Sequence, residues 1–175
     1  MQEKNVMKKV RRFSLLVALT AVASMLALHA AAGAQTDGNR LKASFTESVA
    51  SITNRIADLG TFQLVNTGSG TVEGFGAATV VVGITQDRSV TPCGPGGWTN
   101  AATRRIVLEE GVLVLRELSI ACPTPSGPVI TGTYEVDGLS STGIFAGARG
   151  SGDLTVNVLT STATLSGKLK LAADA

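Results

Sequence analysis

Ile130-Thr131-Gly132-Thr133-Tyr134-Glu135-Val136-Asp137 alternates without a break. Ile130, Gly132, Tyr134 and Val136 share one face; Thr131, Thr133, Glu135 and Asp137 share the other. A period of two puts successive side chains on opposite sides of a strand, so this stretch reads as a β-strand with one buried face. The pattern recurs downstream. Gly150, Gly152, Leu154, Val156 and Val158 alternate with Ser151, Asp153, Thr155 and Asn157, and Ala163, Leu165, Gly167, Leu169 and Leu171 alternate with Thr162, Thr164, Ser166, Lys168 and Lys170. Three successive segments of this kind predict an antiparallel meander with Leu154, Val156, Leu165 and Leu169 inside.

Upstream the signals are mixed. Ile106–Leu108 and Val112–Leu115 flank Glu109-Glu110-Gly111, a hairpin turn with glycine where positive φ is needed. Val112 to Ala121 is apolar on both faces apart from Arg116, Glu117 and Ser119, which predicts burial on both sides or cover from a neighbouring subunit. Thr71 to Thr85 reads as one long strand bent at Gly74 and Gly76, and Phe62–Val65 as a short one. Residues 44–59 are ambiguous. Phe45, Val49, Ile52, Ile56 and Leu59 fall at helical spacing, with Ser44 and Glu47 as a capping box and Gly60 at the C′ position. Yet Leu41 to Thr46 alternates, and a closed barrel needs an eighth strand to remove its edges. The closure requirement tips the reading to a strand.

Residues 1–34 carry a different signature. Lys4, Lys8, Lys9, Arg11 and Arg12 precede an apolar run from Phe13 to Leu28, and Ala32-Gly33-Ala34 fits a small-residue cleavage site. The expectation is a secretory signal peptide over 1–34, a domain over 35–175, a secreted or periplasmic location and no membrane anchor after cleavage. Cleavage would leave 10 Lys and Arg against 12 Asp and Glu, a formal charge of −2. Only Arg104 and Arg105 are then adjacent, which argues against a nucleic-acid partner. His29, the only histidine, also falls in the leader. Without it the domain lacks the base of Ser-His-Asp or Cys-His catalysis and any His-ligated metal site, so no metal or other cofactor is expected. Carboxylate-pair catalysis needs only two spaced acids and stays open. Cys93 and Cys122, the only cysteines, are expected to pair in an oxidising compartment.

Gly143-Ile144-Phe145-Ala146-Gly147-Ala148-Arg149-Gly150-Ser151-Gly152 resembles the glycine-rich stretch of secreted bacterial proteins with an allene oxide cyclase-like, or dirigent-like, β-barrel of the calycin type. Gly132–Val136, the terminal Thr-Leu-Ser-Gly-Lys-Leu and the Cys-Gly-Pro-Gly-Gly loop with a later Cys-Pro fit the same pattern, over about residues 60–172. The resemblance implies an all-β fold, a single antiparallel eight-stranded up-and-down barrel, with an apolar interior and assembly as a homo-oligomer, a trimer. It transfers no catalytic residue. The motif itself reads as architecture: glycines for turns and Phe145 to plug one end of the barrel.

Glu73, Arg116, Glu117 and Tyr134 are the ionisable or phenolic residues in otherwise apolar segments. Any that faces the interior is perturbed by desolvation and becomes a candidate acid, base or ligand anchor. Arg116 and Glu117, being neighbours, point to opposite faces. Tyr134 shares the face of Ile130 and Val136 and is expected inside. Trp98, the only tryptophan, follows the Cys93 loop and either presents its ring for contact or covers a barrel mouth. The functional expectation is non-catalytic binding of an apolar small molecule or a macromolecular partner, with Tyr134, Trp98 and Arg116 as ligand contacts. The alternatives are a cyclase or isomerase that works by confinement, with Tyr134 and Glu73 as its chemistry, or a purely structural surface protein.

Overall fold

In the computed structural model, which describes residues 40–56 and 60–172, the stretch Val129–Val136 is a strand hydrogen-bonded on both sides. It is the sixth of eight: β1 (Leu41–Ile56), β2 (Thr61–Val72), β3 (Gly76–Asp87), β4 (Trp98–Leu108), β5 (Gly111–Cys122), β6 (Val129–Val136), β7 (Ser151–Asn157) and β8 (Thr162–Gly167). Each pairs antiparallel with the next, and β8 returns to β1, closing an up-and-down barrel. Closure removes the edges an open sheet would leave for another chain to pair with. The signal-peptide reading of residues 1–34 lies outside the described residues.

The interior is set by alternation. Leu41, Ala43 and Phe45 of β1, Val80 and Val82 of β3, Ile106 of β4, Leu113 and Leu115 of β5, Tyr134 of β6, Leu154 of β7 and Ala163 and Leu165 of β8 are buried together. Leu154, Leu165 and Leu169 are in this core and Val156 packs against it, as the meander predicts. Size is balanced across neighbouring strands. In one interior row Glu117, Tyr134, Gly152, Gly167 and Leu41 stand side by side. A Cβ on Gly152 or Gly167 would lie 2.6 or 2.5 Å from the Tyr134 hydroxyl, so two bare backbones form the niche for that ring.

One end of the barrel is stoppered. Gly143, at φ 63°, starts a 3₁₀ turn over Gly143–Phe145 that carries Phe145 into full burial. There it meets Phe75 of the β2–β3 turn edge-on, ring centroids 5.2 Å apart. The glycine-rich motif thus serves as a plug. The opposite end carries the β3–β4 loop, the β5–β6 loop and the β7–β8 turn. A disulfide joins Cys93 of the first loop to Cys122 at the end of β5, with Cα atoms 5.4 Å apart.

Residues 41–56 form the strand that barrel closure requires, and the apolar residues at helical spacing do not share a buried face: Phe45 is 1% exposed, whereas Val49 and Ile52 are 57% and 61% exposed. Pairing of β1 with β8 ends at Thr46–Thr162 while pairing with β2 runs on to Ile56–Thr61, so the far half of the segment is an overhanging hairpin. Thr71–Thr85 is not one bent strand. The chain reverses at Glu73-Gly74-Phe75 and makes the β2–β3 hairpin, and Phe62–Val65 is part of a twelve-residue β2. The two-faced β5 is covered on its outer side only in part. Val114 is buried there beneath the β6–β7 loop, which accepts and returns hydrogen bonds (Asp137 N–H to Val114 O, 2.8 Å; Val114 N–H to Ser141 Oγ, 3.0 Å), while Leu118 stays 67% exposed.

Candidate functional site

The strand β4 puts Trp98, Asn100, Ala102, Arg104, Ile106 and Leu108 on its inner face. Arg104 therefore enters an apolar barrel, where an unpaired charge would be severely penalised. It is 1% exposed and is met from both sides. Glu117 of β5 accepts a forked pair from Arg104, Nε to Oε1 at 2.5 Å and Nη2 to Oε2 at 3.4 Å. Glu47 of β1 accepts from Nη1 across the barrel. Glu47 has space because Gly68 stands opposite it on β2; a Cβ there would come within 3.0 Å of the Glu47 side chain. The Phe45 ring lies 5.9 Å from the guanidinium carbon. Burial opposes the charge on Arg104, but Glu117 and Glu47 overcome it and hold the group above its usual pKa. Burial pushes the Glu117 carboxyl up, and Glu47 adds to the shift, against the pull of Arg104.

This triad is the floor of a cavity of about 340 Å³ that opens at the disulfide end. Its apolar walls come from Val82, Ile84, Ile130, Leu154 and Val156, with Asn66, Gln86, Asn100 and Ser119 between them. Asn100 donates to Ser119 across β4 and β5 at 3.2 Å. Asn66 Oδ1 and Trp98 Nε1 are buried with no hydrogen-bond partner. Over the rim, the Arg88 guanidinium lies 5.1 Å from the Phe62 ring centroid and 5.2 Å from that of Trp98, and its Nε donates to Gln86 at 3.1 Å. The Cys93–Cys122 bridge anchors the loop leading into Trp98, whose partner in the sheet is Ala121, next to Cys122. A larger depression of about 720 Å³ crosses the outer wall between Thr85, Thr103, Arg105, Arg116 and Glu135, but it is open to solvent and unenclosed by strands.

The residues singled out from sequence scatter over this frame. Trp98 lines the cavity at its mouth. Tyr134 is inside, 1% exposed, but beneath the cavity in the packed half; its hydroxyl has no partner, and burial with the nearby Asp153 charge pushes its pKa up to about 12. Glu117, of the Arg116–Glu117 pair, faces inward. Arg116 faces out, its side chain 72% exposed, and pairs with Asp137 at 2.8 Å. Glu73 lies in the β2–β3 turn at the stoppered end, exposed and 3.3 Å from Lys42. Arg116 and Glu73 thus stand apart from the cavity, one because it is on the outer face of β5, the other because the predicted long strand turns at Glu73. Glu47 and Arg104 were not singled out. Their signal was alternation: each charge sits on the inner, apolar face of its strand. Among the described residues no group of three or more His, Cys, Asp or Glu is placed to hold a metal ion.

Comparison of the chain with family models, with curated proteins and with solved structures finds no match.

Proposed function

We propose that the protein is an exported binding barrel that takes one small molecule, mainly apolar, into the open half of its interior. The observation that supports this is the division of the interior. Phe45, Tyr134, Leu113 and Phe145 fill one half, whereas the other keeps a 340 Å³ cavity walled by aliphatic side chains and provided with unpartnered polar atoms. A concave, preformed, mostly apolar site with a few polar groups is what small-ligand binding requires. Export is part of the same reading, and a disulfide is consistent with a location outside the cytoplasm. So is the kinship with allene oxide cyclase-like barrels, supported here by strand number and up-and-down order. Assembly as a homo-oligomer is supported by Leu118 and Ile120, exposed on the outer wall of β5.

A cyclase or isomerase built on Tyr134 and Glu73 draws no support from their positions, since neither lines the cavity. The direct test of binding uses the only tryptophan as reporter. A neutral naphthalene probe is expected to change Trp98 fluorescence saturably in the native protein. Val156→Phe, which narrows the cavity, should weaken the response several-fold while leaving the folded-state circular dichroism intact. Equal binding by that variant would refute an interior site.

A further inference from the structure

We infer that the ligand of this cavity is an organic cation, a small amine whose protonated nitrogen docks on Glu47 and Asn66 while its apolar body lies against Ile84, Ile130 and Val156. The inference rests on the binding reading above and deepens it. Its ground is a charge imbalance. Two carboxylates face a single guanidinium in a region where all three side chains are at least nine-tenths buried, so ionisation of both acids leaves one negative charge without a counter-charge. Three of the four carboxylate oxygens accept from Arg104, and the fourth, Glu47 Oε2, takes no bond from it.

The register places a second acceptor beside it. Glu47 is opposite Gly68, and Val49, two residues nearer the mouth, is opposite Asn66. Asn66 Oδ1 is buried, unpartnered and on the same cavity wall. A buried unmade hydrogen bond is costly, and an ammonium supplies up to three donors and the missing positive charge at once. The ionisable groups lining the cavity are Glu47, Glu117, Arg104 and Arg88. Arg88 is at the solvent-exposed rim, stacked on Phe62 and Trp98, where solvent screens its charge. A proton is the cation's competitor. It binds Glu117, the acid that burial pushes up, so amine affinity should rise with pH across the range in which Glu117 ionises.

The test is a titration of the purified protein at pH 7 with benzylammonium, benzyl alcohol and benzoate, followed by Trp98 fluorescence and calorimetry. Benzylammonium should bind at least about tenfold more tightly than the alcohol, and benzoate should not bind, because charged hydrogen bonds outweigh neutral ones by that order. Glu47→Gln should remove the preference. Because Glu47 also supports Arg104, Asn66→Leu provides a variant outside the triad and should weaken benzylammonium while sparing the alcohol. Equal affinity for the amine and the alcohol would end the cation assignment and leave the binding barrel standing. Tighter binding of benzoate would reverse the assignment. No response to any of the three probes would count against both readings.

Discussion

The only tyrosine of the chain makes its ionisation a direct gauge of interior packing. Tyr134 lies over the bare backbones of Gly152 and Gly167, its hydroxyl buried and unpartnered, and its pKa is pushed up to about 12 by burial and by Asp153. In the unfolded chain the phenol titrates near ~10. Below pH ~10 both states keep the proton and the full stability is present. Between pH ~10 and ~12 the unfolded state loses its proton first, so stability falls as pH rises. Two units at about 1.4 kcal/mol each give a loss of about 3 kcal/mol. The assay is tyrosinate absorbance near 295 nm in the folded protein, with denaturant unfolding at steps of pH. Tyr134→Phe should flatten the alkaline loss. At neutral pH it should also be neutral or stabilising by up to about 1 kcal/mol, since it deletes a hydroxyl that makes no bond. A folded-state midpoint near ~10, or an alkaline slope that survives Tyr134→Phe, would refute the reasoning.

Arg104→Met should destabilise by about 3–5 kcal/mol, because it leaves Glu47 and Glu117 buried and facing each other; adding Glu47→Leu and Glu117→Leu should restore most of the loss, as read by denaturation midpoints. The raised Glu117 pKa predicts that its share of stability is present below the usual glutamate range (~4.3) and is lost as pH rises through the folded value. Glu117→Gln should remove that slope. Asp87 and Asp137, held low by bonds from Ser89 and Arg116 respectively, act in the opposite sense, and their share is lost as pH falls below the aspartate range, so the two effects separate on a pH–stability curve. Reducing Cys93–Cys122, which closes a loop with a sequence separation of 29, should cost about 3–4 kcal/mol and loosen the Trp98 end first, seen as amide exchange rising in β4 residues 98–100 before the β1–β8 seam.

The second half of the barrel was legible because its strands are half-buried and alternate cleanly: Ile130–Asp137 gives the facing of Tyr134 directly, and the short turn at Glu109–Gly111 leaves no other connection. The disulfide followed from there being two cysteines in a chain read as exported. The floor of the cavity was hidden by the one segment whose period was uncertain. On a helix, Glu47 falls off the stripe of Phe45, Val49 and Ile52; on a strand it shares the face of Leu41, Ala43 and Phe45. Local capping signals favoured the helix, and the strand reading rested on barrel closure, a requirement met by hydrogen bonding to β2 and β8, contacts distant in sequence. Arg104 was obscured for a related reason. Beside Arg105 it looks like half of a basic pair, and its inward facing emerges only once β4 is known to begin at Trp98. Glu73 was misplaced by a turn whose two glycines, Gly74 and Gly76, also suit a bent strand.

Among the described residues, the plug of Phe145 and Phe75 closes the end of the barrel opposite Trp98. If the proposed cavity takes a guest at the Trp98 side, loading and unloading would be one path run in two directions. A residue that only obstructs that path would raise the barrier equally for arrival and departure, and its removal would quicken both rates and leave the equilibrium untouched. Arg88, propped on its two rings at the rim and lining the cavity as well, would change both the rates and the hold on a charged guest. Changes at the floor would alter how long a guest stays.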